Sequence, residues 1–213
     1  MGISLKKGQG VSLKKNENDL SMVTIGLGWD IAEEKTGFMK SLFSKKAEEY
    51  DLDVAAFLCG ADGKIRDLGA DNSGRATLIN SDVIFFNSMR HRSGQIWLTG
   101  DNRTGAGDGD DEQIIVKLND LPEEFHKVVF VVQIYNGAAN GQTFEKVKNA
   151  FIRAVDGKGN EMLRFDLSGG AQFANCRSML FAEMTREAGG WKFDAIGSPS
   201  PSDSFVEWLK QYT

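Results

Sequence analysis

Histidine and cysteine are almost missing from this chain, with two of each among 213 residues. Cys59 and Cys176 lie in separate apolar, strand-like surroundings without Cys-x-x-Cys spacing, which argues against a disulfide framework or zinc knuckle and marks both as reduced core residues. His91, in SMRHRSG, reads as a solvated loop residue and His126, in EEFHKVV, as the end of a turn, neither with an evident acid to orient it. Ser88 and Ser93 flank His91, but no strained Gly-x-Ser-x-Gly turn accompanies them, so a serine nucleophile is rejected. No apolar stretch approaches the ~18 residues of a membrane span, and the start, MGISLKKGQG, has no apolar targeting core. Gly2 suggests myristoylation, yet Lys6 stands where that signal needs Ser or Thr. The expected location is the cytoplasm. Positive charge is also short, 25 Lys and Arg against 30 Asp and Glu, which argues against a nucleic-acid binder with its basic face.

What is present is alternation. Val23, Ile25, Leu27 and Trp29 share one face of VTIGLGW, and Leu52, Val54 and Leu58 one face of LDVAAFL, with Asp51 and Asp53 opposite. Further strands are expected at 83–87, 95–100, 112–118, 127–135, 150–155, 162–167, 178–187 and 190–196, separated by Gly, Asn and Asp turns. That rhythm predicts a mainly β, two-sheet β-sandwich with a few short peripheral helices. The echo SLKKGQG and SLKKNEN predicts a hairpin or two edge strands whose lysines blunt the edge. Helical stripes are expected over 37–50 and 203–212, the latter capped by Ser202 or Asp203 after an SPSPS spacer, and a short helix near 142–148. One domain is expected over 1–197, with inserts at about 31–50 and 67–80, followed by the spacer and C-terminal helix over 198–213.

The acidity is concentrated in GDNRTGAGDGDDEQI (100–114). Asp101, Asp108, Asp110, Asp111 and Glu112, less Arg103, account for −4 of the net −5. Two unit charges 4–6 Å apart repel by roughly 3–4 kcal/mol at an effective dielectric near 20. The loop is therefore splayed into water, or titrates upward, or holds a hard cation. Glycines at 105, 107 and 109 favour the cation, because they let main-chain carbonyls turn inward, and oxygen-only donors suit calcium. The loop offers neither thiol nor imidazole, which disfavours zinc and copper. It is no EF-hand: Arg103 falls at a ligand position, and its flanks read as strands. Asp30, Asp51, Asp53, Asp82 and Asn87 stand at strand ends that a sandwich can bring to one pole.

GLGWD (26–30), YDLDVAAFL (50–58), SDVIFFN (81–87), the acidic loop, KVVFVVQIY (127–135), NAFIRAVD (149–156), LRFDL (163–167) and GGWKFDAIG (189–197) together resemble the TerD family of tellurium-resistance and general stress proteins. The resemblance implies a β-sandwich binding two Ca2+ ions near one end through the acidic loop and the DLD and SD segments. Carried over by position, the ligands are Asp51, Asp53, Asp82, Asn87, Asp101, Asn102, Gly107, Gly109, Asp110, Asp111 and Glu112, with Asp30 and Asp108 as lesser candidates. It implies no catalysis, and partners among other TerD-family or stress-complex proteins. The chain departs from the family pattern at the basic stretch KTGFMKSLFSKK, the insert DLGADNSGRATLIN, Asn136 in IYNGAANGQTF, and the SPSPS tail. Two rival functions are a calcium-dependent module for anionic membrane surfaces, using the apolar and lysine-bearing stripe near 38–46, and a hydrolase with two metal ions about 4 Å apart.

Overall fold

Strands follow wherever the side chains alternate. The structure, a computed structural model, describes residues 2–31, 50–99, 109–166 and 173–213. Among them twelve strands run in chain order: β1 (Ile3–Leu5), β2 (Gly10–Lys14), β3 (Val23–Ile31), β4 (Leu52–Cys59), β5 (Val83–Ile84), β6 (Ile96–Leu98), β7 (Glu112–Val116), β8 (Lys127–Ile134), β9 (Val147–Val155), β10 (Glu161–Asp166), β11 (Ser178–Glu187) and β12 (Gly190–Ser200). They form two six-stranded sheets, sheet I in the order β1-β10-β9-β3-β7-β6 and sheet II in the order β2-β12-β11-β8-β4-β5. The chain is a mainly β sandwich, as its alternation predicts.

Val23, Ile25, Leu27 and Trp29 from β3 meet Leu52, Val54 and Leu58 from β4 in the core between the sheets. Trp191, Phe130, Phe165 and Phe181 are fully buried there. β4 is buried along its whole length, because Ala55, Phe57 and Cys59 point away from the core into a second apolar layer. Phe205, Trp208, Leu209 and Tyr212 of the C-terminal segment cover that layer. A strand buried on both faces reads as a continuous apolar run, which is what AAFLC is. Burial pushes the Cys59 thiol up to about 12. Both cysteines are free.

The opening echo forms two edge strands rather than a hairpin. β1 runs parallel to β10 at one edge of sheet I, and β2 runs antiparallel to β12 at one edge of sheet II. Lys6, Lys7, Lys14 and Lys15 are exposed there.

Several expected boundaries shift. The strand expected over 83–87 keeps only Val83–Ile84, because a Phe85–Ser88 bridge turns the chain at Phe86 and Asn87. The short helix expected near 142–148 is a 3-10 turn, Phe144–Lys146, after which β9 begins at Val147. β12 continues through Pro199 to Ser200, where the spacer was expected to start. The C-terminal helix α1 is one turn, Val206–Leu209. Ser202 and Asp203 do not cap it: Ser202 Oγ accepts from Ser204 N–H and Asp203 from Ala138 N–H. Within the insert at 67–80, Leu78 N–H donates to Leu68 and an Ala70–Ala76 bridge closes a small loop. The helix expected over 37–50 lies outside the described residues except for Tyr50.

Candidate functional site

The C-terminal end of β3 and the N-terminal ends of β4 and β7 meet at one pole of the sandwich. β7 enters it with Glu112 opposite Leu27, so the Glu112 side chain points between the sheets. Its Oε2 crosses the sandwich and accepts the Val54 N–H of β4 at 2.6 Å. Among the described residues β5 pairs with β4 at Ala56 and Phe57, farther along the strand than Val54. One residue before Val54, Asp53 faces the outer side of sheet II, where Gln133 Nε2 donates to its Oδ2 at 3.2 Å. Asp111 sits between the ends of β3 and β7: its N–H donates to Leu27, and its Oδ2 accepts the Trp29 N–H at 2.9 Å. Asp53, Asp111 and Glu112 are all buried. Burial holds the Asp111 carboxyl above the usual range, with Asp30 and Asp110 adding to the rise and the Trp29 amide opposing it.

Asp51 joins this pole through its main chain, its carbonyl accepting from Tyr135 N–H at 2.8 Å. Phe86 stacks edge-on against Tyr135, ring centroids 6.0 Å apart, which brings the exposed Asn87 to the same end. Thr99 N–H pairs with Gln113, and Gly109 lies beside Gly28, so Thr99 and Gly109 both stand at this pole. Asp101, Asn102, Gly107 and Asp108 themselves lie outside the described residues.

Asp110 belongs to a different environment. It lies over Gly26 on the outer face of sheet I, where a side chain on Gly26 would collide with its carboxylate. Arg153, opposite Gly26 on β9, holds that carboxylate bidentately, Nε to Oδ1 at 2.8 Å and Nη2 to Oδ2 at 3.2 Å. Gln113 adds a third donor at 3.2 Å. The pairing raises the arginine's affinity for its proton. Gly28, two residues on, makes room for Phe151 and for the Gly109 carbonyl, which is 2.7 Å from where a Cβ would stand. The exposed Asp30 takes an Asn149 amide donor at 2.7 Å. Neither Arg153 nor the need for these glycines was expected, although glycine at every second position of a strand is the signature of close backbone approach.

Asp82 is at the opposite end of β4. Its carbonyl accepts from Leu58 N–H, five residues or about 17 Å along the strand from Asp53. The expectation that Asp82 joins the acidic pole is thereby corrected: β4 and β5 run antiparallel, so the acids at their starts point to opposite poles. Asp82 is 1% exposed and accepts from His91 Nε2 at 3.2 Å, Arg92 Nη2 at 2.9 Å and Asp67 N–H at 3.0 Å. Burial alone would raise its carboxyl, but these donors outweigh it and hold it below the usual range. His91 is buried against Phe125, not solvated, and Asp82 orients it. Its Nδ1 accepts from Ser93 N–H at 3.2 Å and lies 2.8 Å from Ser93 Oγ.

The donors at the acidic pole are oxygens, oriented by main-chain or amide N–H groups, which fits a hard cation and no soft one. Among the described residues alone, no group of three carboxylate, imidazole or thiol side chains is placed to hold a metal ion. Any such site therefore draws further donors from elsewhere in the chain.

A model of the TerD domain matches residues 1–212. The chain is 68% identical over 212 residues, covering all of both chains, to tellurium resistance protein TerX of Serratia marcescens. It is 36% identical over 213 residues, again covering all of both, to stress response protein SCP2 of Bacillus subtilis (strain 168). A crystal structure of a homologue of telluride resistance protein (TerD) from Streptomyces coelicolor A3(2) shares the fold, with a TM-score of 0.60 at 24% identity over 91% of this chain and 98% of that one.

Proposed function

Because this chain belongs to the TerD family of tellurium-resistance and stress proteins, we propose that it is a non-enzymatic, calcium-binding member of that family acting in the cytoplasm. The observation that carries the reading is the buried carboxylate of Glu112, sent across the sandwich to Val54 N–H at the end of β4 that also bears Asp51 and Asp53. Asp111, the residue before Glu112, is buried at the same end of the sandwich, where its carboxylate accepts the Trp29 main-chain N–H. The proposed ligands are Asp51, Asp53, Asp111 and Glu112, the Gly109 carbonyl, and Asp101, Asn102 and Gly107 from the acidic loop, with Asn87 at the margin. Asp110, engaged by Arg153, serves instead to tie the loop's exit to sheet I. Calcium, bound there, would supply the charge that buried acids at one pole lack in water-poor surroundings. Two ions remain the proposal, as the family resemblance implies. The free cysteines suit a reducing compartment.

Calorimetric titration of the full chain with calcium chloride tests the reading directly. Saturable binding in the range of calcium sensors or tighter supports it, and absence of heat at millimolar calcium, with unfolding unmoved by EDTA, overturns it.

A second use of the same pole is favoured by Phe86, Met89 and Tyr135, which are 37%, 39% and 43% exposed. Apolar tips beside a cation site suit calcium-dependent docking on an anionic membrane or on another protein of the family. Among the described residues no helix is long and apolar enough to cross a membrane. Co-sedimentation with phosphatidylserine vesicles, with and without calcium, distinguishes membrane docking from protein docking.

A further inference from the structure

We propose that docking of segment 203–212 onto sheet II is coupled to cation binding at the acidic pole, and that Gln133 is the positioning residue that links them; this rests on the calcium reading above. Gln133 is buried on β8 directly opposite Asp53 in the ladder. Its side-chain amide faces two ways. Nε2 donates to Asp53 Oδ2 at 3.2 Å, and Oε1 accepts the Phe205 N–H at 2.7 Å. Turned over, the same amide would set its oxygen against the carboxylate and its NH2 against the Phe205 N–H, both repulsive. An ion that fixes the Asp53 carboxylate therefore fixes the Gln133 amide, and through it the backbone on which α1 begins.

Phe205 is where that matters. From it the chain lays Phe205, Trp208, Leu209 and Tyr212 over Phe57 and its neighbours, with Trp208 Nε1 donating to Ser178 Oγ at 2.9 Å and Tyr212 OH to Glu183 at 2.8 Å. A helix of one turn does not persist alone, so the order of this segment is the order of its docking. The docked and loosened segment form the two-state element, and occupancy at the pole biases it. By reciprocity, whatever factor calcium adds to docking, docking adds to calcium affinity. Loss of calcium uncovers the apolar outer face of sheet II.

The experiment measures amide hydrogen exchange of 203–212 in the full chain, with saturating calcium chloride and with EDTA, alongside calorimetric calcium affinity. Exchange in that segment is expected to slow several-fold with calcium. Gln133→Leu should remove that dependence and weaken calcium about tenfold. Trp208→Ala, which loosens docking without touching the pole, should also weaken calcium and keeps the test open if Gln133→Leu misfolds. Calcium binding by the wild type with equal exchange in both states, or with undiminished affinity in Trp208→Ala, overturns the coupling while leaving the calcium reading intact. Absence of calcium binding by the wild type overturns both.

Discussion

Asp110 and Glu112 stand two positions apart and face opposite sides of sheet I, so one acid-rich stretch does two different jobs. Glu112 points inward to Val54 N–H, and Asp110 outward to Arg153. Conservative amides separate the two roles. A glutamine at 112 keeps an oxygen for the Val54 N–H but loses the charge that draws a cation, so Glu112→Gln should weaken calcium by tenfold or more while leaving calcium-free stability within about 1 kcal/mol of wild type. Asp110→Asn should do the reverse. It breaks a bidentate ion pair whose carboxylate side is 1% exposed but whose arginine is 30% exposed, and should cost about 1–3 kcal/mol in urea unfolding with calcium affinity little changed. If Asp110→Asn abolishes calcium binding in a folded protein, Asp110 is a ligand after all.

The elements were legible where one face meets the core. β3 and β4 follow from alternation alone, and the edge strands from the lysine-bearing echo. What alternation does not encode is the direction in which two strands run past each other, and this is why Asp82 was expected beside Asp53. It also misses the outer layer: the expected 203–212 helix shortens to a turn because its register is set by docking onto Phe57 and its neighbours, not by its own periodicity. Glycine spacing in GLGWD was visible, but its meaning needed the loop's exit lying across β3. Gly28→Ala tests that meaning. Its Cβ would collide with the Phe151 ring, so the substitution should destabilise by about 1–3 kcal/mol despite the backbone entropy it removes from the unfolded chain. At the other pole, Asp82 ties β5 to His91, Arg92 and the insert. A carboxyl held below its ordinary value stabilises the fold above the unfolded value, near 3.8, and loses that contribution as pH falls through the lower, folded value. The stability gap between wild type and Asp82→Asn, followed by urea unfolding, should therefore narrow as pH falls below about 4. A gap unchanged at low pH would mean that the carboxylate's charge contributes nothing.

For the molecule as a whole, the acidic pole is a place where the two sheets are joined by a polar contact rather than by core packing. A cation held at this pole would have no assembled cage in the unfolded chain, so its binding free energy adds to the stability of the whole sandwich. At a hundred times its dissociation constant one ion contributes about 2.7 kcal/mol. For a chain of 213 residues, each kcal/mol moves the thermal midpoint by roughly 2–4 °C. One ion should therefore raise the midpoint by about 5–11 °C and two by about twice that, with EDTA reversing the change. The size of the shift thus counts ions, provided calorimetry fixes the dissociation constants. The breadth of the change carries separate information. If calcium joins the sheets, circular dichroism of the strands and fluorescence of Trp29, whose main-chain N–H is held by Asp111, should shift together in a single transition. A fluorescence change that precedes loss of the sheets would place the ion's effect in the pole alone, and the sandwich would then stand on its two apolar layers without it.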